Sequence, residues 1–111
     1  MERYFEELKQ RGSWERFLAD DLTFTSFTSP VKEVKGKAAY LESTRRFFSM
    51  VQSVEVKDLI VDGAKACALT RYQLQAPTGI RFQSDVAELF SVANGKIAGL
   101  SIYFDSSPFP K

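Results

Sequence analysis

A chain of 111 residues, 44% apolar and 26% charged, is long enough to build one domain around its own core without disulfide or metal support. Fifteen basic against fourteen acidic residues leave a net charge of +1, so no electrostatic footprint points to nucleic acid or to an anionic membrane. Histidine is absent, which excludes the commonest general base, the Ser-His and Cys-His nucleophile pairs and the commonest transition-metal ligand.

Acid–base chemistry is left to Asp, Glu, Tyr, Lys or water. No zinc spacing, calcium loop or Gly-rich phosphate loop is present, and neither a metal nor a cofactor is expected. No apolar run approaches roughly 18 residues and the first residues are charged, so the reading is a cytoplasmic protein. The single cysteine, Cys67, lies in the apolar run Ala66-Cys67-Ala68-Leu69 and reads as a buried structural thiol.

Along the chain, Tyr4, Phe5 and Leu8 recur at helical spacing, which predicts a short amphipathic helix over 1–10. Gly12 closes it, and Ser13 is placed to cap a second helix with the stripe Trp14, Phe17 and Leu18, ending near Asp20-Asp21. Leu22 to Phe27 alternates as a strand, with Leu22, Phe24 and Ser26 on one face. Thr28-Ser29-Pro30 breaks it, and Val31 to Lys35 reads as a polar loop. The longest helix is predicted over Lys37–Val51, carrying Tyr40, Thr44 and Phe47 beside a stripe of Ala38, Leu41, Arg45 and Phe48.

Three further turns delimit four strands. Val54, Val56, Asp58 and Ile60 share a face in the first, which ends at Asp62-Gly63; the next runs to Gln75 and the turn Ala76-Pro77-Thr78-Gly79. Ile80 to Val92 and Lys96 to Asp105 are joined by Asn94-Gly95, a strong hairpin signal because both central positions favour positive φ. The tail over 106–111 holds Pro108 and Pro110 and cannot join a ladder. Residues 1–111 thus form one α+β domain: a helical N-terminus over 1–20, a strand, long helix and four-strand meander over 21–105, and the tail. Its helices pack on one side of a curved antiparallel sheet.

Counting by twos places Val86, Glu88, Phe90 and Val92 on one face of the third meander strand. A carboxyl group among large apolar side chains has its ionised form disfavoured, which moves its pKa toward a useful acid–base range. Two other readings stay open: Glu88 pairs with Arg71 or Arg81, or it faces water.

The order and spacing of several short motifs resemble the SnoaL-like members of the nuclear transport factor 2-like superfamily. They are Tyr4-Phe5, Gly12-Ser13-Trp14-Glu15, Leu18-Ala19-Asp20-Asp21-Leu22-Thr23-Phe24, Gly36, Pro77-Thr78-Gly79, Asn94-Gly95-Lys96-Ile97 and Tyr103-Phe104-Asp105. The resemblance implies a cone-shaped α+β barrel wrapped around the long helix, an apolar pocket for a small molecule, and frequent homodimers. Its members include steroid isomerases, polyketide cyclases, epoxide hydrolases, dehydratases and non-catalytic binding modules. The fold alone therefore does not choose a function. At the position of the isomerase base this chain has Ser29, before Pro30, while the isomerases' oxyanion-binding aspartate matches Glu88. Their tyrosine corresponds to Tyr4 or Phe5. Arg71, Glu88 and Asp105 mimic in charge the Asp-Arg-Asp set of the epoxide hydrolases. Asp105 stands where the cyclases carry a carboxylate, although the histidine that acts with it there is missing.

The candidate catalytic groups are therefore Glu88 and Asp105, the latter alternatively capping a Ser106-Ser107 turn. The candidate ligand-binding groups are Tyr40, Tyr72, Arg71, Phe90, Tyr103, Phe24 and Trp14. Tyr103 is expected on a face with Ile97, Gly99, Ser101 and Asp105, suited to a pocket lip or a dimer surface. The function read from the sequence is binding of a small apolar or aromatic molecule, with proton-transfer chemistry at Glu88. The alternative is a dimeric, non-catalytic interaction module.

Overall fold

Two helices and six strands succeed one another in a computed structural model that describes residues 2–10, 12–28 and 31–105. They are α1 (Glu2–Lys9), β1 (Leu18–Ser26), β2 (Lys32–Lys35), α2 (Lys37–Met50), β3 (Val51–Asp62), β4 (Lys65–Gln75), β5 (Arg81–Ala93) and β6 (Lys96–Phe104). The strands form one open sheet in the order β2-β1-β6-β5-β4-β3. Every neighbouring pair is antiparallel except β1 and β6, which run parallel. The β5–β6 hairpin turns at Asn94 and Gly95 with φ of 53° and 76°, the geometry that this dipeptide favours.

The helices cover one face of the sheet. Tyr4, Phe5 and Leu8 of α1 are buried, and the rings of Tyr4 and Phe5 meet Phe90 edge-on at 5.8 and 5.7 Å. Helix α2 starts at Gly36, whose φ of 95° is a conformation that side chains rarely tolerate. The Gly36 N–H donates to the Leu22 carbonyl at 2.7 Å, so the start of α2 is tied to β1. From there α2 lays Tyr40 against Phe24 and Phe47 against Tyr72, with ring centroids 5.0 and 5.2 Å apart.

Four local expectations change. The second helix shrinks to one 3-10 turn, Trp14–Phe17, and β1 already begins at Leu18. Ser13 makes no side-chain cap there; its backbone N–H donates instead to Glu7 Oε2 at 3.0 Å, while Leu18 pairs with Ile97 of β6. The segment read as a polar loop contains β2, an exposed edge strand paired with the end of β1. Cys67 is half-buried on the outer face, because the apolar run around it alternates in a strand and only Ala66 and Ala68 turn inward.

The fourth change comes from β-bulges, which invert side-chain parity. Lys57 is the extra residue where Val56 pairs with Thr70 and Asp58 with Leu69. Beyond it Leu59 turns inward, and Asp58, which seemed to interrupt an apolar stripe, faces water and accepts the Leu59 N–H. Ala98 is likewise extra where Ser91 pairs with Gly99 and Val92 with Ile97. Ile97 and Leu100 are therefore both buried, and Tyr103 lies on the face opposite Ile97. The Ser29-Pro30 break and the 106–111 tail fall outside the described residues.

If Phe90 is the aromatic pin between α1 and the sheet, Phe90→Ala should lower unfolding stability by about 3–5 kcal/mol. Leu89→Ala, one residue away on the outer face, should cost less than about 1 kcal/mol. Urea denaturation midpoints of the two variants check this.

Candidate functional site

β4 and β5 pair without interruption from Lys65↔Ser91 to Gln75↔Arg81. Strand parity therefore sends Ala68, Thr70 and Tyr72 of β4 and Ser84, Val86 and Glu88 of β5 to the same inner face, and all six are buried. Ala68 lies directly opposite Glu88, and its single methyl leaves room for the two side chains beyond it to reach the carboxyl. Thr70 Oγ1 donates to Glu88 Oε2 at 2.7 Å, and the Tyr72 hydroxyl donates to Oε1 at 2.9 Å. Glu88 is 5% exposed.

Burial disfavours its ionised form and raises its pKa to about 7; the hydrogen bonds from Thr70 and Tyr72 oppose that rise. Three phenols share this field. Burial raises the pKa of Tyr4, Tyr40 and Tyr72, and the nearby Glu88 charge adds to the effect in each. These tyrosines therefore remain protonated near neutral pH and act as neutral hydrogen-bond donors. Glu88 alone in this cluster changes protonation state there.

A cavity of about 180 Å³ opens beside the carboxyl, between the sheet and α2. Phe24, Tyr40, Phe47, Tyr72, Ile102 and Phe104 form much of its wall, and Glu88, Ser84 and Thr44 supply polar atoms. Thr44 is engaged through its own helix, donating to the Tyr40 carbonyl at 2.9 Å. Ser84 is different: it is 0% exposed and its Oγ has no hydrogen-bond partner. An orphan hydroxyl in a cavity wall is a place where a ligand atom replaces a missing bond. Among the described residues, no group of three or more Asp, Glu or Cys side chains is arranged to hold a metal ion.

The profile of the SnoaL-like domain matches residues 1–100. The chain belongs to this family. Its fold is shared with several solved structures. The enzyme SalBIII, described as epoxide hydrolase/cyclase-like and as acting in pyran ring formation in the polyether salinomycin, superposes with a TM-score of 0.81 at 15% identity, over 96% of this chain and 88% of that one. A protein from Kribbella flavida provisionally named a ketosteroid isomerase gives 0.78 at 18% identity, over 99% and 78%. One from Mesorhizobium loti, provisionally named a SnoaL-like polyketide cyclase, gives 0.72 at 24% identity, over 92% and 93%. At these identities the likeness establishes the fold. No curated protein sequence matches the chain.

Within this SnoaL-like domain, Glu88, Tyr40, Tyr72 and Phe24 come together at the cavity. Phe90 is buried on the same face but packs away from the cavity, against Tyr4 and Phe5. Trp14 is core as well, between Tyr4 and Phe48. Arg71 stands on the outer face, where its Nε and Nη2 donate to the Asp85 carboxylate at 2.9 and 3.2 Å, so the proposed Arg71–Glu88 pair does not form. Tyr103, also outside, stacks on Phe27 with centroids 4.9 Å apart. Asp105 is exposed at the end of β6 beside a shallower outer groove of about 630 Å³ that Arg71 and Tyr103 also line. Arg71, Tyr103 and Asp105 are thus separated from Glu88 by the sheet.

Thr70 and Ser84 carry site geometry that the sequence reading did not single out. Parity alone contained the signal: Thr70 lies two residues from Tyr72, and Ser84 four from Glu88. Small hydroxyl residues are common on solvated faces as well, so nothing in their type marked them.

Two measurements follow from this chemistry. Glu88 takes up its proton at about 7 in the folded chain against an ordinary 4.5, so between those values the folded state holds a proton that the unfolded state has released. Stability should therefore fall as pH rises through that window, by about 3 kcal/mol in all, and level off above it. Glu88→Gln should remove this dependence, which urea midpoints at pH 5 and pH 8 measure; a wild-type stability that instead stays flat across the window would mean a paired, ionised carboxylate that titrates below it. Ser84→Ala removes an unpartnered buried hydroxyl and should leave stability unchanged or raise it by about 1 kcal/mol.

Proposed function

We propose that this SnoaL-like domain binds a small apolar or aromatic carbonyl compound in the inner cavity and moves a proton on it through Glu88. The observation that carries this reading is the buried carboxyl of Glu88, set in the cavity wall between two hydroxyl donors with a pKa of about 7. A group poised there is present in both forms at neutral pH and serves as base in one step and acid in the next. Glu88 would take a proton from carbon beside the carbonyl, a phenol such as Tyr40 would hydrogen-bond the developing enolate oxygen, and Glu88 would return the proton at another carbon. Isomerisation, aldol-type cyclisation and dehydration all draw on that step. The relatives provisionally named isomerase and cyclase fit this range. The cytoplasmic setting stays part of the proposal on composition alone; among the described residues no helix is long and apolar enough to cross a membrane.

Solvent exchange at carbon provides the test, since it needs no knowledge of the natural substrate. Wild-type protein in deuterium oxide should speed incorporation of deuterium beside the carbonyl of phenylacetone, followed by proton NMR, and Glu88→Gln should lower that rate by about 10²–10⁴-fold. Exchange no faster than in buffer, or equal in both proteins, would remove Glu88 from catalysis.

A second reading concerns assembly. Leu69, Leu89 and Tyr103 are 48%, 46% and 49% exposed on the outer face of the sheet, a set of apolar groups suited to a second copy of the chain. Self-association through this face is compatible with either a catalytic or a purely binding role for the cavity. Sedimentation velocity at micromolar concentration should show a dimer that Leu89→Asp converts to monomer; monomer alone in the wild type would rule it out.

A further inference from the structure

Among the described residues that line the inner cavity, one is cationic, Lys32, and it lies in register with Glu88. Ser26 of β1 pairs with Lys32 of β2 on one side and with Ile102 of β6 on the other, and Ile102 pairs with Glu88 of β5. Lys32, Ser26, Ile102 and Glu88 therefore form a single line across four strands, about 14 Å long measured over three strand spacings. All four line the cavity. Lys32 shares its strand face with Val34, which packs against the core, so its stem starts on the side of the sheet that holds the cavity, and the residue as a whole is exposed.

The charges around Lys32 are otherwise accounted for. On β2, Glu33 lies on the opposite face and is 3.8 Å from Lys35 Nζ. Among the described residues Lys32 enters no ion pair, and no carboxylate other than Glu88 lines the cavity. A ligand lying along the register line would meet, in order, a proton-transferring carboxyl, an apolar side chain, a hydroxyl and an ammonium. The volume limits what lies between. A cavity of about 150 Å³ holds one benzene, and this one measures about 180 Å³.

We infer that the ligand of this cavity is a compact oxo-carboxylate: the carbon beside its carbonyl facing Glu88, an apolar body of about one ring, and a carboxylate held by Lys32 at the mouth. This names the substrate class of the site proposed above and rests on that proposal. It also makes Lys32 the residue that selects for charge. The ammonium stays in water before and after binding, so its contribution is discrimination between an acid and its neutral analogue rather than most of the affinity.

The probes are 4-acetylbenzoate and its neutral counterpart 4-acetylbenzamide, matched in ring, ketone and size. Each is titrated into protein with carbon-13 in its glutamate carboxyl groups, with dissociation constants read from the Glu88 resonance. Wild type should bind the acid about tenfold more tightly than the amide, a preference that weakens as salt is raised. Lys32→Met should bring the two constants within about twofold while leaving amide affinity unchanged, and Lys32→Glu should reverse their order. Equal binding of acid and amide by wild type, or an acid preference that survives Lys32→Met, would overturn the inference and leave the cavity intact as a ligand site. If neither probe shifts the Glu88 resonance, the cavity reading falls and the oxo-carboxylate falls with it.

Discussion

The uninterrupted pairing of β4 with β5 is the constraint on which the site depends. Eleven successive pairs hold one register, so parity on β5 and parity on β4 cannot drift apart. Thr70 and Tyr72 are thereby fixed as neighbours of Glu88, and Ala68 is fixed opposite it. The bulges occur elsewhere, in the β3–β4 and β5–β6 ladders. A one-residue slip between β4 and β5 would carry Glu88 to the outer face with Val86 and Phe90, and turn Asp85, Ala87 and Leu89 inward. That alternative would exchange one buried carboxyl for another, break the Arg71–Asp85 pair and expel Phe90 from the aromatic core. The chain holds the observed register through the turn closed by the Ala76 N–H on the Ile80 carbonyl, the aromatic packing on Phe90 and the long run of paired backbone groups.

Burying a carboxyl carries a free-energy cost that the two hydroxyl donors only partly offset. Protein cores usually avoid this, and a site that tolerates it concentrates unfavourable energy on one titratable group. Around Glu88 the surroundings are graded. On one side Tyr4, Phe5 and Phe90 close the interior with rings packed edge to face. On the other the wall loosens into the cavity, where the Ser84 hydroxyl lacks a partner. The carboxyl sits at the boundary between the fully packed interior and the space left open.

Much of this could be read from the sequence because it depends on alternation and turn chemistry. The inward position of Glu88, the Asn-Gly hairpin, the long helix carrying Tyr40 and Phe47 and the Tyr4-Phe5-Leu8 stripe follow from spacing within single elements. What spacing could not show were the places where parity is broken. A bulge has no residue signature as clear as a turn, so Ala98 turned Tyr103 away from the face of Ile97, and Lys57 changed the setting of Asp58. Arg71 offered a similar ambiguity: charge suggested Glu88 as a partner, yet cross-strand pairing put Asp85 directly opposite on the same face. β2 was hidden because a four-residue edge strand of three charged residues and one valine has too little alternation to stand out from a loop.

The irregularities in β3 have a consequence beyond side-chain direction. An open sheet has two edges, and β3 is a twelve-residue edge with Ile60 and Val61 exposed, the kind of surface on which a foreign strand can add. Its ladder shifts register between Val51 and Ser53 and again between Val56 and Asp58, which breaks the even spacing of backbone donors and acceptors that an incoming chain would need. The opposite edge is β2, only four residues long and rich in lysine. One edge is crooked and the other is short and charged. An unclosed cone is thereby protected from growing into a cross-β stack, and the cavity between sheet and helix stays open without a seventh strand to seal the barrel.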